Sequence, residues 1–394
     1  MSKRLHVLHV IGGGEFGGAE QHLLGLARAL HAEGQDIVLH IVTIYDGLLA
    51  QRLREMGIQP TVLQQSGRFD VSLHRQLVAL FDRLKPDIVH THGVRANFFG
   101  RFAGMCAGTA RLVTTVHSFL RYDYPLRREF ALAWTMEHLS RPLVDHTVTV
   151  SEALRRALIA DGLAPERVTV IENGIDLTPF REARRRMAAD PAARRTAREA
   201  LGLKPEAFVW ATTARLTPVK GLDVLLRAFA RVKAKDAFAP GSIQLLVIGQ
   251  GPLRRGLQEL SRTLGLAADV VWLGHRDDVP FLLSLADGFV LPSRQEGGFP
   301  LALIEALAAD LPAVATTIPA IRDVVGDGGE PPLALVPPDD DEALAAALVC
   351  LTQDAAQRSA SIARARALLT RRFSLEAFGR RHRTLYTRLM DDRP

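Results

Sequence analysis

The stretch LHVLHVIGGGEFGGAEQHLLGLARAL, residues 5–30, decides the fold. Leu5–Ile11 is a short apolar-rich run, Gly12–Gly14 and Gly17–Gly18 interrupt it, and a helical pattern follows from Ala19 to Glu33. A near-continuous apolar strand followed by a glycine turn and a helix is the unit of a parallel sheet covered on both faces. The unit repeats. In the first half, strands are expected at Leu5–Ile11, Ile37–Thr43, Asp87–Thr91, Leu112–Val116, His146–Val150 and Val168–Ile171, with Val71–Leu84 among the helices between them. A second series begins at Phe208–Thr213 and continues through Leu245–Gly249, Val270–Leu273, Gly288–Leu291 and Ala313–Thr316. Two such series imply an α/β chain of two doubly wound, Rossmann-like domains.

The expected division is residues 1–178, a linker over 179–205, and residues 206–373, with a last helix over 374–391. The 179–205 segment is rich in arginine and alanine and reads as a solvated linker helix. In the last helix, Phe378, Leu385 and Leu389 fall on one stripe behind a serine cap.

Composition removes several classes. With 394 residues, 47% hydrophobic and 23% charged, the chain is neither disordered nor fibrous. Its two cysteines, Cys106 and Cys350, cannot build a disulfide framework, and a reducing, cytoplasmic setting is expected. No apolar run reaches the roughly 18 residues of a membrane span. A net charge of +6 favours an anionic partner. Aromatics are only 6% and no nucleic-acid-binding motif occurs, so nucleic acid is not expected. Arg121, Arg127 and Arg128 surround Tyr122, Tyr124, Phe130 and Trp134, which suits either peripheral contact with an anionic membrane or an ordinary packed helix.

Several segments could carry chemistry. Gly12, Gly14 and Gly17 satisfy G-x-G-x-x-G after a strand, which allows a dinucleotide reading and hence a nicotinamide-dependent oxidoreductase. Yet Asp46 stands 29 residues after Gly17, later than the roughly 20 expected of the ribose-binding acid. Arg215 and Lys220 share the loop after Phe208–Thr213, where open α/β sheets bind ligands. Two cations there would hold a diphosphate and stabilise it as a leaving group. Gly249 and Gly251 form another strand–glycine–helix passage. Glu296 lies in a glycine-flanked loop, and Glu305 falls inside an apolar helix. A carboxylate there needs sugar hydroxyls or a buried cation to satisfy it. His90, His92 and His117 flank two strand ends; they could line a cleft or, less simply, hold zinc.

Together these segments resemble the GT-B glycosyltransferases, specifically retaining family four. The matching pieces are Gly17-Gly18-Ala19-Glu20, His90-Thr91-His92, Thr115-Val116-His117-Ser118, Val150-Ser151-Glu152, Asn173-Gly174-Ile175-Asp176, Arg215 with Lys220-Gly221, Gly249-Gln250-Gly251-Pro252, Leu273-Gly274, and Glu296 through Glu305. The resemblance implies two domains facing across a cleft, an acceptor on the N-terminal side and a nucleoside diphosphate sugar on the C-terminal side. It implies that the last helix crosses back onto the first domain. Arg215 and Lys220 would hold the donor diphosphate and Glu305 its ribose. Glu296, Gly297, Gly298, Phe299, Pro300 and Leu301 would line the transferred sugar, with His117 near it and Gly17 and Gly18 near the diphosphate. Arg215, Lys220, His117 and Glu296 are thus the expected catalytic set, and Gly249 and Gly251 join the donor site. No metal or other cofactor is expected, because fixed cations neutralise the leaving group. The implied activity is metal-independent hexosyl transfer to a glycan or lipid-linked acceptor, at the inner membrane face or in the cytoplasm. A sugar-nucleotide epimerase on the same architecture is the other alternative. Two departures stand out: eight residues separate Glu296 from Glu305 where seven are usual, and Asp310 replaces a glycine.

Overall fold

The computed structural model describes residues 4–14, 17–32, 36–64, 72–109, 111–124, 126–234, 238–239, 241–326 and 330–392. The chain forms two compact units, Met1–Ile175 with Arg372–Pro394, and Asp176–Arg371.

In the first unit the strands are β1 (Leu5–Ile11), β2 (Ile37–Thr43), β3 (Thr61–Val62), β4 (Ile88–His92), β5 (Arg111–Val116), β6 (His146–Thr149) and β7 (Val168–Val170). They pair in parallel in the order β3-β2-β1-β4-β5-β6-β7. Successive residues of β1 feed opposite cores. Leu8 and Val10 pack with Leu77, Phe81 and Val89 on one face, whereas Val7 packs with Leu26, Ile88 and Phe378 on the other. That double burial is why β1 lacks polar alternation. The last helix, Leu375–Asp391, belongs to this unit. It places Phe378, Leu385, Tyr386 and Leu389 in the core beside the helix Gly18–Ala32.

The second unit contains β8 (Phe208–Thr213), β9 (Ile243–Ile248), β10 (Val270–Gly274), β11 (Gly288–Leu291), β12 (Ala313–Thr316) and β13 (Ala334–Val336). Their parallel order is β10-β9-β8-β11-β12-β13. The connection order reverses between β8 and β11, so the loops leaving these two strands diverge and open a crevice at their carboxyl ends. In the first unit the reversal lies between β1 and β4.

The segment 179–205 corrects the linker expectation. It forms the helices Thr178–Ala189 and Pro191–Ala200 of the second unit. Arg198 is 2% exposed. Its guanidinium donates to the Leu285, Pro205 and Ala207 carbonyls and to Asp287, while Arg184 donates to the Ser284 and Ala286 carbonyls. The arginines cap buried carbonyls at the end of the helix Val279–Ser284, so a run that looks solvated by composition is a docked seam. Strands β3 and β13, two and three residues long, escaped the sequence pattern. Asp310 adopts φ +55°, and both its oxygens accept from Arg366 at 2.7 Å. The carboxylate thereby anchors a left-handed turn that glycine would enter without strain.

Candidate functional site

In the second unit the loop after β8 carries Arg215 and Lys220, and the loop after β11 carries Glu296. Lys220 Nζ donates to Glu296 Oε1 at 2.5 Å, and the Ser293 hydroxyl donates to the same oxygen at 2.6 Å. A cation and a carboxylate are thus joined across the strand-order reversal. Lys220 precedes Gly221, which sits at φ +64°; a Cβ there would lie 2.1 Å from the Pro292 carbonyl oxygen. Only glycine lets the two loops meet so closely.

Arg294 buttresses the same junction. Its backbone N–H donates to the Val219 carbonyl at 2.7 Å, and its guanidinium donates to the Pro218 carbonyl, Asp223 and Asp339. Burial pulls the Asp223 carboxyl upward, but hydrogen bonds from Arg294 and Arg227 hold it at about 2. Sequence reasoning missed Arg294, since its partners lie 45 to 76 residues away.

Arg215 is exposed at the mouth of its loop. Glu305 lies in the helix Leu301–Ala308, partly buried among apolar residues, and desolvation raises its carboxyl to about 7. A carboxyl so raised is poised to accept from hydroxyl groups that replace lost water. Gly297 and Gly298 lie in the loop before that helix, with Pro300 capping it and Leu301 at its start; Phe299 is buried, anchoring the loop.

Gly249 and Gly251 serve packing. A Cβ on Gly249, at φ +136°, would lie 2.0 Å from the Ala214 carbonyl oxygen, and one on Gly251 would lie 2.5 Å from that of Leu216. These glycines press their loop onto the loop of Arg215.

In the first unit Gly18 opens the helix Gly18–Ala32 and has open space where a side chain would stand. The Gly17 N–H donates to Glu20 at 3.1 Å. Glu15 and Phe16 of the glycine motif lie outside the described residues. Asp46 is paired with Arg54 at 2.9 Å, which occupies the acid a dinucleotide reading would need.

His117, half-buried after β5, belongs to a group of six histidines with His9, His22, His90, His92 and His382. A hydrogen-bonded chain runs from Thr115 to His90 Nε2 (2.7 Å), from His90 Nδ1 to the Tyr386 hydroxyl (2.7 Å), and on to His9 Nε2 (3.4 Å). It continues from His9 Nδ1 to His92 Nε2 (2.9 Å) and from His92 Nδ1 to His117 Nε2 (3.1 Å). Burial lowers His9 to about 3 and His22 to about 4, and it holds His90, His92, His117 and His382 well below the usual imidazole range. The chain is neutral at pH 7. His90, expected at a strand end, is instead a fully engaged core residue. His9, His22 and His382 went unnoticed as partners because three elements far apart in sequence supply them. The available signal was period-two spacing: His9, His90 and His92 share one face of adjacent strands, with His9 opposite His90.

Two doubly wound parallel sheets, one bearing a lysine, an arginine and two glutamates at its reversal point, define the GT-B class of fold. Residues 16–179 match the family model "Glycosyltransferase Family 4" and residues 207–354 match "Glycosyl transferases group 1". The chain therefore belongs to the family-four GT-B glycosyltransferases. It is 30% identical over 250 residues to the UDP-Gal:alpha-D-GlcNAc-diphosphoundecaprenol alpha-1,3-galactosyltransferase of Escherichia coli, covering 62% of each chain. It is 27% identical over 265 residues to the putative glycosyltransferase EpsD of Bacillus subtilis, covering 66% of each. The match thus spans about two thirds or less of these relatives' length. Among solved structures, HepE of Anabaena in complex with UDP and glucose superimposes with a TM-score of 0.80 at 22% identity, covering 98% of this chain and 100% of that one. Sucrose-phosphate synthase from Thermosynechococcus elongatus gives 0.74 at 21%, covering 99% and 100%.

Proposed function

We propose that this protein transfers a hexosyl group, with retention and without a metal at the donor, from a nucleoside diphosphate sugar to an acceptor hydroxyl in glycan, polysaccharide or glycolipid synthesis. The observation that carries this reading is the Lys220–Glu296 pair at the strand-order reversal, with Arg215 on the same loop as Lys220. A diphosphate entering the crevice offers Lys220 phosphoryl oxygens in place of the glutamate, and Arg215 adds a second cation. Released from Lys220, Glu296 becomes an acceptor for the sugar's hydroxyls, and Glu305 accepts from the ribose. Departure of the diphosphate then leads bond formation from the same face.

The E. coli relative, whose name gives a UDP-galactose donor and a diphosphoundecaprenol-linked acceptor, supports a lipid-linked acceptor here too. So does the helix Arg127–Ser140, where Leu132, Trp134 and Leu139 are 45%, 47% and 61% exposed beside Arg127 and Arg128. Among the described residues no helix is long and apolar enough to cross a membrane. Peripheral contact with an anionic membrane on its cytoplasmic side fits this surface.

A thermal-shift screen across UDP-, GDP- and ADP-sugars tests the reading, followed by determination of the product's anomeric configuration by NMR. A true donor at 100 times its dissociation constant adds about 2.7 kcal/mol of stability. Stabilisation by NADH alone, or sugar conversion without an acceptor, would instead support the oxidoreductase or the epimerase. The Asp46–Arg54 pair and the family matches disfavour the first of these.

A further inference from the structure

The histidine cluster of the first unit contains two trios whose ring nitrogens come within 4.8 Å of one another: His9, His90 and His92, and His22, His92 and His117. The first trio is a poor metal site. Its rings stack at interplanar angles of 20° to 30°, so their in-plane lone pairs run side by side. Every nitrogen in it also has a hydrogen-bond partner.

The second trio differs. The His92 and His117 rings lie at 32°, but the His22 ring meets that of His117 at 83° and that of His92 at 55°, so His22 brings its lone pair across the other two. His22 Nδ1 lies 2.7 Å from Asn173 Oδ1, which can only accept. This bond fixes the proton on Nδ1 and leaves Nε2 as a bare lone pair. That Nε2 atom is buried and, among the described residues, has no hydrogen-bond partner. His92 Nδ1 and His117 Nε2 stand 3.1 Å apart, close to the edge of about 3.3 Å that a tetrahedron with zinc–nitrogen bonds of about 2.0–2.1 Å would have.

We propose that His22 Nε2, His92 Nδ1 and His117 Nε2 form a binding site for a divalent transition-metal ion of the zinc class, pinning the helix Gly18–Ala32 to the carboxyl ends of β4 and β5. Three neutral imidazoles with a fourth position open suit zinc. The surrounding hydrogen bonds already suit the ligands. With His92 protonated on Nε2, the chain runs consistently through His9, Tyr386 and His90, each imidazole donating toward Thr115. Only His117 must carry its proton on Nδ1 to free Nε2. Asn173 and His9 would then orient His22 and His92 from behind, as outer partners of metal-bound histidines do. The site lies within the first unit and does not depend on the transferase reading; with the ion bound, His117 Nε2 is a metal ligand and not a sugar contact.

The test is zinc binding by metal-stripped protein, measured by competition with a chromogenic chelator, with cobalt absorption reporting tetrahedral geometry and melting temperature as an independent readout. One equivalent of zinc is expected, with a rise in melting temperature. His22→Ala should abolish both effects, and Asn173→Ala should weaken binding by about 10- to 100-fold. His275→Ala, at an exposed histidine, should change neither. Absence of stoichiometric binding, or unchanged binding in His22→Ala, overturns the proposal. If His22→Ala fails to fold by circular dichroism, Asn173→Ala decides: parental affinity in that variant is equally fatal.

Discussion

Lys220 and Glu296, 76 residues apart in sequence, are in direct contact at 2.5 Å, each on the loop that leaves one of the two strands flanking the reversal of sheet order. The fold brings them together, and each balances the other's charge.

If Lys220 neutralises the departing diphosphate, Lys220→Ala should lower kcat by about 10²- to 10³-fold, the usual loss when one preorganised charge-stabilising donor is removed. The melting temperature should fall by less than about 4 °C, because Ser293 still satisfies Glu296. Steady-state kinetics beside calorimetry checks this. Near-parental turnover would remove Lys220 from the leaving-group role.

Arg294 should act as a positioning residue. Arg294→Ala frees the Glu296 loop from Pro218, Asp223 and Asp339, and kcat should fall at least about tenfold through misplacement while KM for the acceptor stays put. Arg294→Lys should rescue little, since one ammonium cannot reproduce a forked guanidinium. An equal loss of stability and kcat with full rescue by lysine would mark a merely structural role.

Glu305 makes stability depend on pH with a definite sign. Its folded value, about 7, lies above its ordinary 4.5, so the unfolded chain ionises first. The contribution of Glu305 is therefore greatest at low pH and is lost as pH rises from about 4.5 to about 7, by on the order of 3 kcal/mol at most. The buried histidines tilt parent and variant alike over this range, so the difference between the two reports Glu305: from pH 5 to pH 8, urea unfolding should show the parent losing about 2–3 kcal/mol relative to Glu305→Gln. A variant with an identical profile would refute the assignment.

The buried histidines have the opposite dependence. Each is neutral when folded, so its contribution is intact above about 6.5 and is lost as pH falls. Each proton taken up only on unfolding tilts stability by about 1.4 kcal/mol per pH unit. Acid unfolding in the presence of a chelator should be steep between about pH 6 and 4, with a net uptake of several protons. A shallow transition with uptake of one proton or none would contradict the neutral cluster.

The exposed face of the helix Arg127–Ser140 should bind phosphatidylglycerol vesicles at low salt. Leu132→Ala with Leu139→Ala, two exposed residues seven apart and so on one face of the helix, should weaken co-sedimentation at least about tenfold, since each apolar side chain removed from water contributes on the order of 1.5–3 kcal/mol. Binding indifferent to both salt and these substitutions would exclude this face.

Much of this protein is legible in one dimension. Apolar runs such as Leu5–Ile11 and Phe208–Thr213 dictate buried parallel strands because both faces of such a strand must exclude water. Glycines at the strand ends and charged residues in the following loops mark where a ligand can approach, and Lys220, Glu296 and Glu305 stand out that way. Pairing is a different matter. That Lys220 contacts Glu296, that Arg294 locks both loops, that Arg198 is buried in a docked seam, and that six histidines meet in one core depend on contacts between residues tens to hundreds of positions apart. Composition and periodicity report only how a residue relates to its neighbours along the chain. Which side chains lose their water together, and hence which charges and lone pairs must satisfy one another, is decided when the sheets assemble.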